Sequence, residues 1–168
     1  MENLLPPEYY SPTYLDEALD LMSSRKLDLV AGGTDFYPAR GRSPVTRGIL
    51  DITRVEGLRG IEQSKEGIVR IGATTTWTDI AKANLSQAFS ALQQAAREVG
   101  GIQIQNSGTV AGNLCNASPA ADGIPPLLTL DAEIEVADSV GVRRQALCDF
   151  ITGVRKTTKT SSEMVTAV

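Results

Sequence analysis

The sequence predicts an α+β protein, with a small N-terminal α/β lobe and a larger lobe in which helices flank an antiparallel sheet. Near the N-terminus, one amphipathic helical segment precedes two short apolar segments, which is the pattern of a small strand–helix–strand unit. Further along, alternation of apolar and polar residues occurs in pairs of segments separated by turns, as in antiparallel strands. A chain of 168 residues is long enough for two small lobes that share a core. We therefore expect lobes at residues 1–54 and 55–168.

Three segments predict the N-terminal lobe. A helix is expected near residues 13–22, where Thr13 and Asp16 have the spacing of a capping box. Residues 27–30 and 48–52 are predicted strands, and the first of these runs directly into a glycine loop. The predicted helix would bury one face, which is formed by Leu15, Ala18, Leu19 and Met22.

The larger lobe is predicted to begin with two paired strands, at residues 60–62 and 68–71. Thr76 and Asp79 again have capping-box spacing, which predicts a short helix. A longer helix is expected to end at the two glycines that follow Val99. Its buried face would comprise Leu85, Ala88, Phe89, Leu92, Ala96 and Val99.

The last third of the chain begins with residues 103–122, which show neither a helical nor a strand period. The final predicted strand ends on the last residue of the sequence, which suggests that the sequence is a fragment of something longer. The segments predicted after residue 122 are a helix at 124–130, strands at 132–136 and 142–147, a loop at 150–162 and a strand at 164–168.

The composition excludes several mechanisms. The chain has no histidine, which rules out a Ser-His-Asp triad, a Cys-His pair and a histidine-bearing zinc site. Cys115 and Cys148 are far apart, form no CxxC motif and cannot supply four thiolates to an iron–sulfur cluster. We therefore expect no catalytic residue and no metal site on this chain. Redox chemistry would come from a bound cofactor or from another chain.

The charge and the hydropathy of the sequence limit which partners and which cellular location are expected. The net charge is −4 and there is no basic stripe, so nucleic acid is not an expected partner. No apolar run approaches the roughly 18 residues of a membrane span, and residues 1–7 lack the pattern of a signal peptide, so we expect a cytoplasmic protein. Two loose groups of basic residues predict either solvent-facing charge or contact with an anionic cofactor or an acidic partner: Arg40, Arg42 and Arg47, and Arg155, Lys156 and Lys159.

The first candidate binding element is the glycine loop at residues 31–35. Glycine permits positive φ and close backbone approach, so successive N–H groups can form a concavity that suits a phosphate. Thr34 adds a hydroxyl, and a helical turn that starts near Phe36 would add a favourable dipole. The alternative is a tight turn capped by Asp35. The loop is neither a GxGxxG nor a GxxxxGK[ST] motif.

The second candidate is the polar segment from Asn106 to Asp122, which is rich in small residues. A segment of this length is uncommon as a mere connection. It offers backbone donors, side-chain amides and hydroxyls with little bulk, which suits a flat ring system that carries a polyol chain. The alternative is a coiled surface loop.

Two motifs thus stand in order along the chain, AGGTD at 31–35 and TVAGNLCNASPAAD at 109–122. Together they closely resemble the FAD-binding medium subunit of molybdenum hydroxylases, the family that includes the flavin portions of xanthine dehydrogenase and aerobic carbon monoxide dehydrogenase. The resemblance implies a vanillyl-alcohol-oxidase-type FAD-binding fold, in which FAD lies between the two lobes. It also implies a separate C-terminal domain, which this sequence does not contain.

The resemblance also assigns binding residues. Asp122 matches an acidic residue that accepts hydrogen bonds from the ribitol hydroxyls, and it could also cap the helix predicted at 124–130. Ala111 stands where relatives have glycine, which is a mild change unless the position requires positive φ. The residues that match the pyrophosphate loop are Ala31, Gly32, Gly33, Thr34 and Asp35. Those that match the segment along the pyrophosphate and the flavin are Thr109, Ala111, Gly112 and Asn113, with Ser118 in the same motif.

The function that the resemblance implies is that of a flavin-dependent oxidoreductase subunit. A large subunit oxidises the substrate at a molybdenum cofactor, iron–sulfur clusters on a small subunit carry the electrons to FAD, and FAD reduces NAD or another acceptor. The flavin does the redox work, which agrees with the missing histidines. Two alternatives remain open. One is a truncated or degenerate FAD-binding module without turnover of its own, and the other is an adapter that docks the cluster subunit.

Overall fold

The computed structural model describes residues 7–168 and confirms the α+β class. Residues 1–6, on which the expectation of no signal peptide largely rests, lie outside this range. No helix in the described part of the chain combines the length and the apolar character needed to cross a membrane. The division at residues 54 and 55 remains a prediction.

The N-terminal part contains a parallel three-stranded sheet with the order β1–β3–β2. Its central strand is the most buried, with Leu50 fully inaccessible and Ile49 nearly so. The strands predicted at 27–30 and 48–52 are confirmed. The first strand was not predicted, because two residues are too few to show a period. The elements are β1 (Tyr9–Tyr10), α1 (Leu15–Ser24), β2 (Leu27–Val30), α2 (Phe36–Arg40) and β3 (Gly48–Asp51).

Helix α1 begins one residue later than the predicted capping box requires. Tyr14 is the N-cap, and its side chain makes no capping hydrogen bond, so the assignment of Thr13 and Asp16 to a capping box is wrong. The Thr13 carbonyl oxygen instead accepts a hydrogen bond from the Glu56 N–H at 2.9 Å. This contact ties the chain before the helix to the segment after β3.

The larger part contains an antiparallel sheet that helices flank, as predicted. Its central strand alternates as the sequence indicates: Ile134 and Val136 are buried, whereas Glu133 faces solvent. Two hydrogen bonds, of 2.8 and 2.9 Å, join Ile71 and Val168 and thereby bring the first hairpin alongside the last strand. The strands are β4 (Ile61–Gln63), β5 (Val69–Ile71), β6 (Glu133–Ala137), β7 (Val142–Ala146) and β10 (Met164–Ala167), with β10–β6–β7 as one sheet and β4–β5 as a hairpin.

Two helices were predicted after the first hairpin, and the structure confirms the first and only part of the second. The capping box of Thr76 and Asp79 is confirmed, and it starts α3 (Trp77–Lys82). The single helix predicted over residues 85–99 is partly wrong, because Ser86 is extended and a 3₁₀ turn precedes α4 (Ser90–Glu98). Ala88 is accordingly exposed rather than part of the buried face.

The prediction of irregular structure over residues 103–122 is wrong for most of that segment. It contains α5 (Ile102–Ser107) and α6 (Val110–Asn116), and α7 (Ile124–Thr129) follows as predicted. The glycines and β-branched residues of the segment have low helix propensity, and tertiary hydrogen bonds override that propensity. The N–H groups of Val110 and Ala111 donate to the carbonyl oxygens of Thr75 and Ala73, which anchors the first turn of α6.

The loop predicted at residues 150–162 also contains regular structure. Helix α8 (Leu147–Phe150) runs into a short hairpin of β8 (Ile151–Gly153) and β9 (Lys156–Thr157). Strands of two and three residues are too short to show an alternating period. The hairpin packs on the C-terminal end of α6, where the Arg155 N–H donates to the Ala117 carbonyl oxygen at 2.9 Å.

Two hydrophobic clusters form the interior. The larger lies within the second part and surrounds Trp77, Phe150 and Ile134, all at most 1% exposed. The smaller joins α1 and β3 to Ala137 and Met164 from the antiparallel sheet. The terminal strand β10 therefore contributes to both clusters, because Val165 belongs to the larger one.

A half-buried carboxylate, that of Glu135, supports the antiparallel sheet. Burial alone would raise the pKa of Glu135, but hydrogen bonds from Arg70, Arg144 and Thr166 lower it to about 2. The Arg70 contact measures 2.8 Å and links β5 to β6. In its ionised form Glu135 thus links its own strand β6 to three others, β5, β7 and β10.

This arrangement predicts acid sensitivity. The folded-state pKa of Glu135 lies below the ordinary value of 4.5. Its contribution is therefore complete above about pH 4.5 and is lost as the pH falls toward 2. We expect Glu135→Gln to lower the free energy of unfolding at pH 7 by roughly 1–3 kcal/mol and to flatten its dependence on pH between 5 and 2.5. Chemical denaturation across this range measures both effects, with the exposed Glu133→Gln as the control. Parallel pH curves for wild type and Glu135→Gln would contradict the assignment.

Candidate functional site

A cleft of about 200 Å³ lies where the loop after β2 faces α5 and α6. Both candidate segments from the sequence line it. Its walls combine backbone from the two loops with apolar side chains from β10 and α3. The main lining residues are Ala31, Gly32, Gly33, Thr34, Asp35, Phe36, Trp77, Ile104, Gly108, Thr109, Ala111, Gly112, Asn113, Cys115, Lys159, Met164 and Val165.

The glycine loop is shaped by two steric constraints. Gly32 lies directly against the end of α5, and a Cβ at this position would overlap the carbonyl oxygen of Ser107. Gly33 has a φ of 69°, in the left-handed region that favours glycine. Its Cβ would also lie 2.8 Å from the ring of Tyr37. Helix α2 then begins at Phe36, as predicted, although the Asp35 side chain makes no capping hydrogen bond.

The loop also carries unused hydrogen-bond donors. Within residues 7–168, the backbone N–H groups of Gly32, Gly33, Thr34 and Asp35 donate to no other group of the protein. Gly32, Gly33 and Thr34 are half-buried and Asp35 is exposed, so these amides are open to water or to a ligand. Successive free amides at a turn with a left-handed glycine are the arrangement that binds an anion.

Helix α6 has a different role from the one predicted for its segment. The Thr109 side chain caps the helix and accepts a hydrogen bond from the Gly112 N–H at 3.1 Å. Together with the bonds to Ala73 and Thr75, this cap occupies the amides of the first helical turn. The segment therefore contributes shape and side chains to the cleft rather than free backbone donors. Ala111 lies in the helix, so it has no positive φ and its methyl group causes no backbone strain.

Asn113 holds an unpaired polar atom. Its side-chain oxygen Oδ1 is buried and has no hydrogen-bond partner among the described residues. An unpaired buried amide oxygen costs about 1–3 kcal/mol. The residue lines the cleft, and its Oδ1 lies 3.1 Å from the position that a Cβ at Gly123 would occupy.

A hydrogen-bonded turn at residues 159–163 borders the cleft through Lys159. Hydrogen bonds from Arg143 and from the backbone N–H of Thr160 lower the pKa of Glu163 to about 2, both at 2.7 Å. The half-buried Lys159 donates to the carbonyl oxygens of Thr160 and Glu163 at 2.9 and 3.0 Å. Burial raises the pKa of the neighbouring Cys115 thiol to about 11, although Lys159 partly opposes that shift. Cys115 is therefore a neutral wall of the cleft.

The structure brings nine of the predicted binding residues to this cleft, namely Ala31, Gly32, Gly33, Thr34, Asp35, Thr109, Ala111, Gly112 and Asn113. It leaves out Ser118 and Asp122. Ser118 accepts a hydrogen bond from the Ala120 N–H at 3.3 Å, and Asp122 is exposed. Asp122 is also not the N-cap of α7, because Gly123 holds that position.

Several cleft residues were not predicted from the sequence. Trp77, Ile104, Met164 and Val165 form apolar walls, and only their common position around the two loops identifies them. Of the two basic groups noted in the sequence, only Lys159 reaches the cleft. Arg40 and Arg47 pair with Asp28, and Arg155 bonds to Asn116. Within residues 7–168 no cluster of three or more acidic or cysteine side chains could hold a metal ion.

Comparison with known proteins gives consistent matches. The model of a family described as the FAD binding domain in molybdopterin dehydrogenase matches residues 5–168. A xanthine dehydrogenase FAD-binding subunit from Escherichia coli O157:H7 is 34% identical over 162 residues, which are 95% of this chain and 56% of that protein. A carbon monoxide dehydrogenase medium chain from Hydrogenophaga pseudoflava is 28% identical over 98% of this chain and 59% of that protein.

Solved structures agree with these relatives. A chain of carbon monoxide dehydrogenase from Hydrogenophaga pseudoflava superposes with a TM-score of 0.90 at 26% identity, over 97% of this chain and 58% of that one. A chain of quinoline 2-oxidoreductase from Pseudomonas putida 86 gives a TM-score of 0.89 at 25% identity, over 98% of this chain and 59% of that one. The chain thus spans a little over half the length of the relatives that it matches.

The contact between Gly32 and α5 generates a stability prediction. Gly32→Ala would force the Ser107 backbone away from the loop, so we expect the free energy of unfolding to fall by roughly 2 kcal/mol or more. Gly141→Ala is the matched control, because its Cβ meets no atom within 4 Å. Thermal unfolding followed by circular dichroism compares the two variants. Equal midpoints would show that the loop and α5 are not in close contact.

Proposed function

Because the chain belongs to the family of FAD-binding domains of molybdopterin dehydrogenases, we propose that it holds FAD in the cleft and serves as the flavin part of a molybdenum hydroxylase-type oxidoreductase. The family match confirms the resemblance drawn from the two motifs. In the proposed function, electrons from iron–sulfur clusters reach FAD here and pass to NAD or another acceptor.

The observation that carries the proposal is the row of free amides at Gly32, Gly33, Thr34 and Asp35. A pyrophosphate supplies several anionic oxygens, which match such donors in number and in charge. A side chain at Gly33 would be strained and would collide with Tyr37. The loop therefore fits a phosphate that approaches the backbone closely.

The rest of the cleft fits the flavin half of the cofactor. Trp77, Met164 and Val165, each at most 3% exposed, form an apolar floor for a flat ring. Asn113 lines the cleft, and its side-chain amide can bond to a ring group or a ribitol hydroxyl when the side chain turns toward the ligand. The cleft volume of about 200 Å³ accommodates part of the dinucleotide, so the remainder would extend over open surface.

When FAD is bound, its isoalloxazine supplies the electron-transfer chemistry. The residues of this chain bind and orient it: the glycine loop holds the charge of the pyrophosphate, the Thr109 cap fixes the start of α6, and apolar walls exclude water. None of these tasks requires a proton-transferring histidine, in agreement with a chain that has none.

The partners in the proposed function follow from the relatives. Those relatives are the FAD-binding subunit of a xanthine dehydrogenase and the medium chain of a carbon monoxide dehydrogenase. We accordingly propose an iron–sulfur subunit and a molybdopterin-binding subunit as the neighbours of this chain. The alternative of a binding module without turnover of its own makes a different prediction, since it would retain FAD but would not exchange electrons with such a partner.

The test of the proposed function is a titration of the purified chain with FAD. We expect quenching of flavin fluorescence, a visible absorption band that elutes with the protein, and bleaching of that band by dithionite. Protein that remains colourless after incubation with excess FAD would refute the proposal for this chain.

Gly33→Val tests the pyrophosphate assignment. A valine cannot adopt a φ of 69° without strain, and its side chain would meet Tyr37. We expect at least tenfold weaker binding of both FAD and ADP, because the pyrophosphate is common to the two ligands. Gly141→Val serves as the control, since that position opens to solvent and has no close neighbour. If Gly33→Val binds ADP like the wild type, the loop does not hold the pyrophosphate.

Asn113→Leu separates ligand binding from stability. Leucine has a similar size and removes the unpaired Oδ1, so we expect the unliganded chain to become no less stable and to gain up to about 1 kcal/mol. FAD binding should weaken at the same time, because the ligand loses a hydrogen-bonding partner. Calorimetric scans with and without FAD measure both effects. A variant that is destabilised without FAD, or that binds FAD with unchanged affinity, would argue against a ligand role for Asn113.

A further inference from the structure

Lys159 is the only positively charged side chain that lines the cleft in the described part of the chain. The other charged lining residue is Asp35. The arginines noted in the sequence contact other groups: Arg40 and Arg47 pair with Asp28, and Arg155 bonds to Asn116. The positive charge available to a ligand in the cleft thus resides on one residue.

The ammonium group of Lys159 is held in place by the turn that follows it. Two of its three N–H donors bond to the carbonyl oxygens of Thr160 and Glu163. The Glu163 carboxylate fixes the turn, because it accepts from Arg143 and from the Thr160 N–H. Within residues 7–168, the third donor of Lys159 has no acceptor and the residue forms no ion pair. One donor and a full charge therefore remain for a ligand.

Lys159 and the glycine loop line different parts of the cleft. The loop contacts Ser107 and Gly108, before α6 begins. Lys159 instead neighbours Cys115, near the C-terminal end of α6. The five residues from Val110 to Cys115 correspond to roughly 8 Å of helix. The turn that starts at Lys159 leads into Met164 and Val165, the apolar lining to which the proposed function assigns the flavin ring, so Lys159 lies on the flavin side of the cofactor.

We propose that Lys159 contacts the N1–C2=O edge of the bound isoalloxazine and stabilises the negative charge that this edge carries after reduction. The proposal rests on the proposed function, in which residues 32–35 hold the pyrophosphate. Oxidised flavin takes up two electrons from the reductant and one proton at N5, and the remaining negative charge is shared by N1 and the C2 oxygen. A fixed cation at that edge favours the charged, reduced form over the neutral, oxidised form. Lys159 thus acts on the redox state of the flavin by direct contact.

The experiment compares midpoint potentials of bound FAD in the purified chain. Reduction by dithionite in the presence of a reference dye gives the potential, and fluorescence titration gives the dissociation constants of oxidised FAD and of ADP. The variants are Lys159→Met and Lys159→Gln, which remove the charge, and Lys159→Arg, which keeps it. Lys156→Met is the matched control, because Lys156 is exposed, lies three residues away and is not part of the cleft.

The expected result is a potential that is about 30 mV lower in both neutral variants, which equals a tenfold loss of preference for reduced flavin in a two-electron couple. Lys159→Arg should retain most of the wild-type potential, and Lys156→Met should not change it. Binding of ADP should be the same in all variants.

Two results would overturn the role of Lys159 while leaving the proposed function intact. One is an unchanged potential in both neutral variants. The other is a loss of ADP affinity that equals the loss of FAD affinity, which would place Lys159 at the pyrophosphate. By contrast, a wild-type chain that binds no FAD would refute the proposed function itself, and the role of Lys159 with it.

Discussion

The structure depends on the close contact between the glycine loop and the end of α5. Gly32 can lie against the Ser107 carbonyl because it has no Cβ, and this approach brings the parallel sheet of the N-terminal part next to α6. Residues on both sides of this contact, Gly32 and Gly108 among them, line the cleft. A side chain there would separate the free amides of the loop from the Thr109 cap and the Asn113 side chain. One steric requirement thus sets how closely the glycine loop and α5 approach each other.

Much of the fold could be predicted from the sequence where local patterns are strong. The alternation around Ile134 and Val136 and the capping box at Thr76 are local signals, and the structure bears them out. The helical state of residues 102–116 was not predictable in this way. It depends on hydrogen bonds from Val110 and Ala111 to the carbonyls of Thr75 and Ala73, which lie more than thirty residues earlier in the chain. Propensity carries no information about such distant partners.

The candidate site, too, could be predicted from the sequence only where local patterns mark it. The two motifs identified the segments that meet at the cleft. Their glycines and small polar residues form local patterns, which can be recognised in the sequence. The motif did not distinguish Asn113, whose Oδ1 is buried and unpaired, from Asp122, which is exposed. Lys159 stood in a loose group of basic residues, and nothing in the sequence separates it from Lys156. Its position depends on the turn that Glu163 and Arg143 stabilise across twenty residues.

The strand β10 has a consequence for how the chain acquires its structure during synthesis. Met164 packs with the N-terminal cluster, Val165 packs with the larger cluster, and Val168 bonds to Ile71. These contacts span most of the sequence, and contacts of such separation form slowly because a long loop must close first. Both clusters stay incomplete until residues 164–168 have left the ribosome. We therefore expect both hydrophobic clusters of a nascent chain to stay incomplete. FAD would bind only after residue 168 has been translated.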